Sequence, residues 1–228
     1  MIETFISFFQ AGGVFMYLIL FILALGTAIV LDRWFFILRA KVNGQALWEK
    51  VQGHMEGGRI NEAREVCAAG RSPLHRVLRS GVEAMARADD REDVENAIEE
   101  SMMEIMPRLE SRLHYLPTLA NVATLLGLLG TIMGLIDAFT SVSVADPSQK
   151  AALLSRGISL AMTTTAFGLM TAIPLMLLYS ALHARTNVLI DALDEFAFKL
   201  INLVSSLHRK ANSSRVSIRA LVRACRAE

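Results

Sequence analysis

Charge is missing from three long stretches of this chain. No Asp, Glu, Lys or Arg occurs from Thr4 to Leu31, from Leu113 to Ile136, or from Gly157 to Ala184. Each stretch exceeds the roughly 20 helical residues that cross a ~30 Å hydrocarbon core, so the three read as transmembrane helices. Cysteine is scarce too. Cys67 and Cys225 lie far apart, with no CxxC and no histidine neighbour, which leaves no disulfide framework and no sulfur-based metal centre. Net charge is nearly absent, with 23 Lys+Arg against 22 Asp+Glu, and nothing in that balance points to nucleic acid. Catalytic signatures are missing as well. There is no HExxH, GxSxG or Walker loop, and "SPLHRVLRSG" offers Ser72 and His75 without a third member. The chain does not read as an enzyme, and neither a metal nor a cofactor is expected.

What charge there is falls outside those runs, and its distribution sets an orientation. The first run has Glu3 and no Lys or Arg before Arg33, unlike a cleaved signal peptide with its basic leader. Arg33, Arg39 and Lys41 follow the first span, Arg108 and Arg112 precede the second, and Arg185 follows the third. The tail adds Arg209, Lys210, Arg215, Arg219, Arg223 and Arg226, whereas "SVSVADPSQKAALLSR" holds only Lys150 and Arg156. Basic residues favour the cytoplasmic side. Residues 1–13 are therefore expected as an outward, periplasmic N-terminus with "IETFISFFQ" on the membrane surface, and 14–31 as the first span. Residues 32–112 follow as a cytoplasmic helical domain, 113–139 as the second span, 140–156 as a periplasmic loop and 157–184 as the third span. Residues 185–228 complete the chain as a cytoplasmic helical extension with a basic tail.

The cytoplasmic insert reads as helices. One ends at Gly57–Gly58 and a second at Gly70. Ser72 is placed to cap a third, with Pro73 at its first position. Asp89–Asp90 start a fourth with acids in its first turn, where the helix dipole favours them. The stripe Val94, Ile98, Ile105, Leu109, Leu113 runs at helical spacing into the second span, so one long helix kinked at Pro107 and Pro117 is expected. Leu189, Leu193, Phe196, Leu200, Leu203 and Leu207 extend the third span in the same way. Apolar stripes beyond the lipid must be covered, by each other or by another subunit. The fold class is an all-α integral membrane protein with three transmembrane helices. Two of them are very long and extend into the helical cytoplasmic domain.

The second and third spans differ from the first. "VFMYLILFILALGTAIVL" is bulky nearly all round, as suits a helix facing lipid. In the second span the small residues Ala120, Ala123, Thr124, Gly127, Gly130, Thr131, Gly134 and Ala138 recur at a spacing of three and four that is expected to put them on one face, and Gly130–Gly134 is a GxxxG pair that lets backbones approach closely. Ala161, Thr165, Gly168 and Ala172 repeat the device in the third. Within that third span Thr163, Thr164 and Thr165 stand together. A threonine in a membrane helix can bond its own i−4 carbonyl, and a glycine face can be packing alone. Three consecutive residues nevertheless cover about 200° of a helix, so they cannot all face one neighbour. At least one is expected to face a cavity or a polar partner. No Asp, Glu, Lys or Arg sits in the middle of any span, although an ion-driven machine needs an ionisable group at membrane depth. Either the chain conducts nothing, or another polypeptide supplies the carboxylate.

"TLLGLLGTIMGLIDAF", followed about twenty residues later by "GISLAMTTTAFGLMTAIPLMLLY", resembles the MotA/TolQ/ExbB family of proton-channel subunits, and the likeness extends over the whole chain. It implies a homopentameric ring whose second and third spans line a pore in the inner membrane of a bacterium. Two ExbD/TolR-like single-span partners, each with a membrane aspartate, would sit inside the ring, and a TonB- or TolA-like protein could receive the work. By position the resemblance assigns Thr131 and Thr165 to the ion pathway, and Thr163 and Thr164 are expected to line the pore with them. It gives Gly130, Gly134, Gly168 and Pro174 packing and kink roles, to which the close-packing face adds Gly127. ExbB and TolQ members commonly have a glutamate where this chain has Leu160. The doublet Thr164–Thr165 instead resembles sodium-driven stators, and hydroxyl oxygens suit hard cations. The short length and three spans, against the four of the stators, favour the ExbB/TolQ side, so the transported ion is expected to be H+, with Na+ as the alternative, and a non-conducting membrane scaffold is the alternative function.

Overall fold

The computed structural model describes residues 13–40, 43–87 and 91–224, with side chains described through residue 209. The expected surface helix at the N-terminus, the Asp89–Asp90 helix start and the side chains of the basic tail beyond Arg209 lie outside the described residues. All regular structure among the described residues is helical. In chain order the helices are α1 (Gly13–Ala40), α2 (Gly44–Glu56), α3 (Ile60–Ala68), α4 (Pro73–Arg87), α5 (Arg91–Glu110), α6 (Tyr115–Val144) and α7 (Lys150–Ala224). Three of them, α1, α6 and α7, carry segments long and apolar enough to cross a membrane. The chain divides into two compact units: residues 1–35 with 111–184, and residues 36–110 with 185–228.

The first unit holds the apolar portions of α1, α6 and α7. One face of α1 is buried through Met16, Ile19, Ile22, Val30 and Arg33, while Val14, Tyr17, Phe21 and Leu31 are exposed. Gly26 on the buried face receives the Leu175 side chain of α7, since a Cβ there would lie 2.7 Å from a Leu175 methyl. One end of the unit is tied by polar contacts. Arg33 donates to Ser111 Oγ at 2.8 Å, and Arg112 pairs with Asp32 at 3.0 Å.

These contacts hold a turn where an unbroken helix was expected. α5 stops at Glu110 and α6 begins at Tyr115, and between them Arg112 adopts φ 65°. That left-handed conformation is unfavourable for arginine. Pro117 contributes by lacking the N–H that would otherwise bond the Leu113 carbonyl, and as the third residue of α6 it is tolerated. Pro107, by contrast, lies inside α5 without ending it. The expected loop over 140–156 is mostly helical, with 145–149 as the non-helical link between α6 and α7.

The second unit is a helical domain with its own apolar core. Ser72 caps α4, accepting from the His75 backbone N–H at 3.4 Å. α2 ends at Gly57–Gly58, with Gly58 at φ 70°, a conformation glycine adopts without strain. Trp48, Val51 and Met55 of α2 join Val77 and Leu78 of α4, Ile98 and Leu109 of α5, and Leu193, Leu200 and Val204 of α7 in one cluster. Gly81 lets α4 approach closely, since a Cβ there would lie 2.9 Å from Ile98 Cδ1. The stripes on α5 and α7 are thus covered by α2–α4 of the same chain. They do not by themselves require a second copy.

Leu200 is fully buried. Leu200→Ala is therefore expected to destabilise the full chain by about 2–5 kcal/mol, measured by denaturation in detergent. Gly53 is helical and a Cβ there would meet nothing within 4 Å; Gly53→Ala should hold or raise stability by about 0.5–1 kcal/mol.

Candidate functional site

Within the first unit, α6 meets α7 along a line of small residues. Gly157 faces Ala138, Ala161 faces Gly134, Thr164 faces Gly130, and Gly168 faces Gly127 and Ala123. The pairs advance along one helix as they retreat along the other, so the helices are antiparallel. Approach is close enough to exclude larger side chains. A Cβ on Gly168 would lie 2.8 Å from the Ala123 carbonyl oxygen, and one on Gly127 would lie 3.2 Å from Thr165 Cα. One on Gly134 would lie 3.1 Å from Ala161 Cβ. Two of these three obstacles are backbone atoms, which cannot rotate away. Pro174 is an exposed residue inside the continuous α7.

The threonines divide by their angle from this seam. Thr164 is in it, 2% exposed against Gly130. Thr131 and Thr165 each follow a seam residue, whereas Thr163 precedes one. Each residue turns a right-handed helix by about 100°. On two antiparallel helices, the residues that follow the seam turn toward the same flank. Thr131 and Thr165 therefore share a flank, together with Thr124 two turns before Thr131, and Thr163 faces the other. The geometry brings Thr131 and Thr165 to one side, sets Thr164 inside the protomer, and separates Thr163 from both.

Every one of these hydroxyls already donates a proton. Thr165 Oγ1 donates across the seam to the Gly127 carbonyl at 2.8 Å. Thr163 donates to Ser159 O at 2.7 Å and Thr164 to Leu160 O at 3.0 Å. Thr131 donates to Leu128 O. A hydroxyl has one proton to give but two lone pairs to accept with. The flank at Thr131 and Thr165 is consequently an acceptor surface, suited to a cation, a water or a protonated carboxyl and unsuited to a carboxylate. Along α7 no Asp, Glu, Lys or Arg stands between Arg156 and Arg185, and α6 has only Asp137. Asp137 and Arg156 line a cleft of about 800 Å³ at one end of the seam, with Ser141, Ser155 and Ser159.

Sequence reasoning passed over Thr171. It is 1% exposed, and its hydroxyl has no hydrogen-bond partner among the described residues. Its spacing was a usable signal, because seven residues from Thr164 is two turns along the same face. Among the described residues, no group of three or more His, Cys, Asp or Glu could hold a metal ion. The Cys67 thiol is pushed up to about 12, chiefly by burial.

Three spanning-length apolar helices and an antiparallel seam of small residues define a multi-pass helical membrane protein. Residues 69–195 match the MotA/TolQ/ExbB proton channel family, so the chain belongs to that family. It is 31% identical over 193 residues to a biopolymer transport protein of Methanothermobacter thermautotrophicus described as an ExbB homolog, covering 84% of this chain and 67% of the relative. Biopolymer transport protein ExbB of Neisseria meningitidis serogroup B is 27% identical over 200 residues, covering 82% of this chain and 89% of the relative. Tol-Pal system protein TolQ of Pseudomonas aeruginosa is 28% identical over 152 residues, covering 63% and 64% respectively, so the match spans under two thirds of that TolQ. These relatives place the chain on the ExbB/TolQ side of the family.

Gly168→Val should force α6 and α7 apart and destabilise the chain by at least about 1–3 kcal/mol. Thr165→Val, which keeps the volume but loses the bond to Gly127, should cost only about 0.6 kcal/mol. Thermal unfolding of both purified variants in detergent checks the contrast.

Proposed function

We propose that this chain is the ion-conducting subunit of an inner-membrane energy transducer, forming a homopentameric ring around single-span partners of the ExbD/TolR kind. The observation that carries the proposal is the acceptor flank at Thr131 and Thr165, in helices that lack an ionisable group at that depth. A machine driven by ion flow needs a titrating group within the membrane, and this chain offers only its complement. A partner's membrane aspartate, when protonated, is a donor that such a surface can accept, and when ionised it is repelled by the same lone pairs. The threonines thus favour one protonation state of a guest carboxyl over the other, which couples proton transfer to movement of the guest helix. The N-terminus and the 145–149 link are assigned to the periplasmic side, and the helical domain to the cytoplasm. The work would energise outer-membrane import or another envelope process, through a TonB- or TolA-like protein.

Of the site residues, Thr131 and Thr165 are assigned to the pathway itself. Thr163 belongs to the opposite flank, and Thr164 to the seam with Gly127, Gly130, Gly134 and Gly168. Sodium is the alternative ion, supported by the same hydroxyl oxygens. A non-conducting scaffold is the second reading, and one observation favours it: all four threonine protons are satisfied within the protomer.

The chain reconstituted in vesicles with its single-span partner distinguishes these readings. Thr131→Val and Thr165→Ala should each leave assembly largely intact while abolishing proton-coupled work and cutting proton flux by tenfold or more. A sodium flux that responds to the same substitutions would instead assign sodium. Unchanged activity in both variants would favour the scaffold.

A further inference from the structure

The second unit contains a cavity that the proposed function does not use. Of about 470 Å³, it is lined by the apolar Phe36, Ala40, Ile105 and Leu109 and by four arginines, Arg39, Arg71, Arg76 and Arg108. A cleft of about 480 Å³ adjoins it through Gly70, Arg71, His75 and Arg76, and adds Arg79. No carboxylate lines either space. Arg108 is paired with Glu104 at 2.7 Å, and Arg79 with Glu83 at 2.8 Å. Arg39, Arg71 and Arg76 have no acidic partner among the described residues, yet all three converge on one cavity.

Three guanidinium groups around a shared space, without an acidic partner among the described residues, repel one another, and an anion between them removes that cost. Arginine's planar fork matches phosphate oxygens two at a time. The apolar wall argues against a fully hydrophilic anion. Phe36, Arg39 and Ala40 belong to the last turn of α1, a few residues along the same helix from the uncharged stretch that ends at Leu31. Phe36 lines the cavity while remaining 38% exposed. An apolar and arginine-rich lining at the end of a helix long and apolar enough to span a membrane matches a ligand with a phosphate head and hydrocarbon tails.

We propose that this cavity binds the phosphate head of an anionic phospholipid, held by Arg39, Arg71 and Arg76, with its acyl end against Phe36. Bound there, the lipid ties the foot of α1 to α4 and α5 and makes the stability of the second unit depend on membrane composition. The inference does not rest on ion conduction.

The test uses the full chain purified in detergent. Binding of phosphatidylglycerol, phosphatidylcholine and inorganic phosphate is followed by native mass spectrometry and by thermal shift. Wild type should retain phosphatidylglycerol in preference to phosphatidylcholine, and inorganic phosphate alone should give little shift. The double variant Arg71→Gln/Arg76→Gln, both exposed positions, should bind phosphatidylglycerol about 30-fold more weakly. Arg91→Gln, whose arginine pairs with Glu95 away from the cavity, should bind as wild type does. If the double variant fails to fold, Arg39→Gln carries the test, with about fivefold weaker binding expected. Equal retention of both lipids by wild type, or undiminished phosphatidylglycerol binding by the variants, would overturn the proposal. A shift by inorganic phosphate as large as that by phosphatidylglycerol would overturn it too, by assigning the site to a free anion.

Discussion

The contact between α6 and α7 is the constraint on which the site depends. In lipid there is little hydrophobic gain from joining two apolar helices, so association rests on close packing and on hydrogen bonds across the interface. Glycine at 127, 130, 134, 157 and 168 brings the backbones near enough for both. The Gly127 carbonyl can accept from Thr165 at 2.8 Å because no side chain stands between them. That one bond does two things. It satisfies a polar hydrogen that would be costly in hydrocarbon, and it fixes which way the Thr165 lone pairs point.

In the function proposed, the same logic lets a chain with hydroxyls but no acid at membrane depth take part in proton chemistry. A threonine whose proton is committed to a helix carbonyl is an acceptor only. Such a surface tells a protonated carboxyl from an ionised one without carrying any charge, and so avoids the large cost of a buried charge in lipid. The glycines set the spacing and the threonines set the polarity. Neither acts without the other, because a wider seam would break the Thr165 bond and release the hydroxyl to other rotamers.

Much of this was legible in the sequence, and the parts that were not have identifiable causes. Uncharged runs mark the spans because the length needed to cross a bilayer is a fixed physical quantity. The Ser72–Pro73 cap is a local pattern and is formed as read, whereas the small-residue faces are formed in part: Thr164 enters the seam, and Thr124, Thr131 and Thr165, read as members of those faces, turn to a flank. The turn at 111–114 gave no signal, because its left-handed residue is Arg112 rather than glycine or asparagine. It is held by Asp32 and by the Arg33–Ser111 bond, and such long-range pairs leave no mark in a single sequence. The apolar stripes of α5 and α7 were visible, but what covers them depends on tertiary packing, and α2–α4 proved to be the cover. The threonine triplet showed that the hydroxyls must diverge. Which of them enters the seam is decided by Gly130 on the opposite helix, information that lies more than thirty residues away.

The central claim is that the flank carrying Thr131 and Thr165 borders a water-accessible path while the other side of α6 does not. Thiol labelling in native membranes measures this directly, in a chain whose two native cysteines have been replaced. Thr131→Cys is compared with Leu125→Cys, an exposed position on the face of the same helix turned away from the seam. A charged, water-borne thiol reagent should modify the cysteine at 131 and spare the one at 125. If that reagent spares both while a lipid-soluble one modifies both, the threonines face hydrocarbon and the account is wrong.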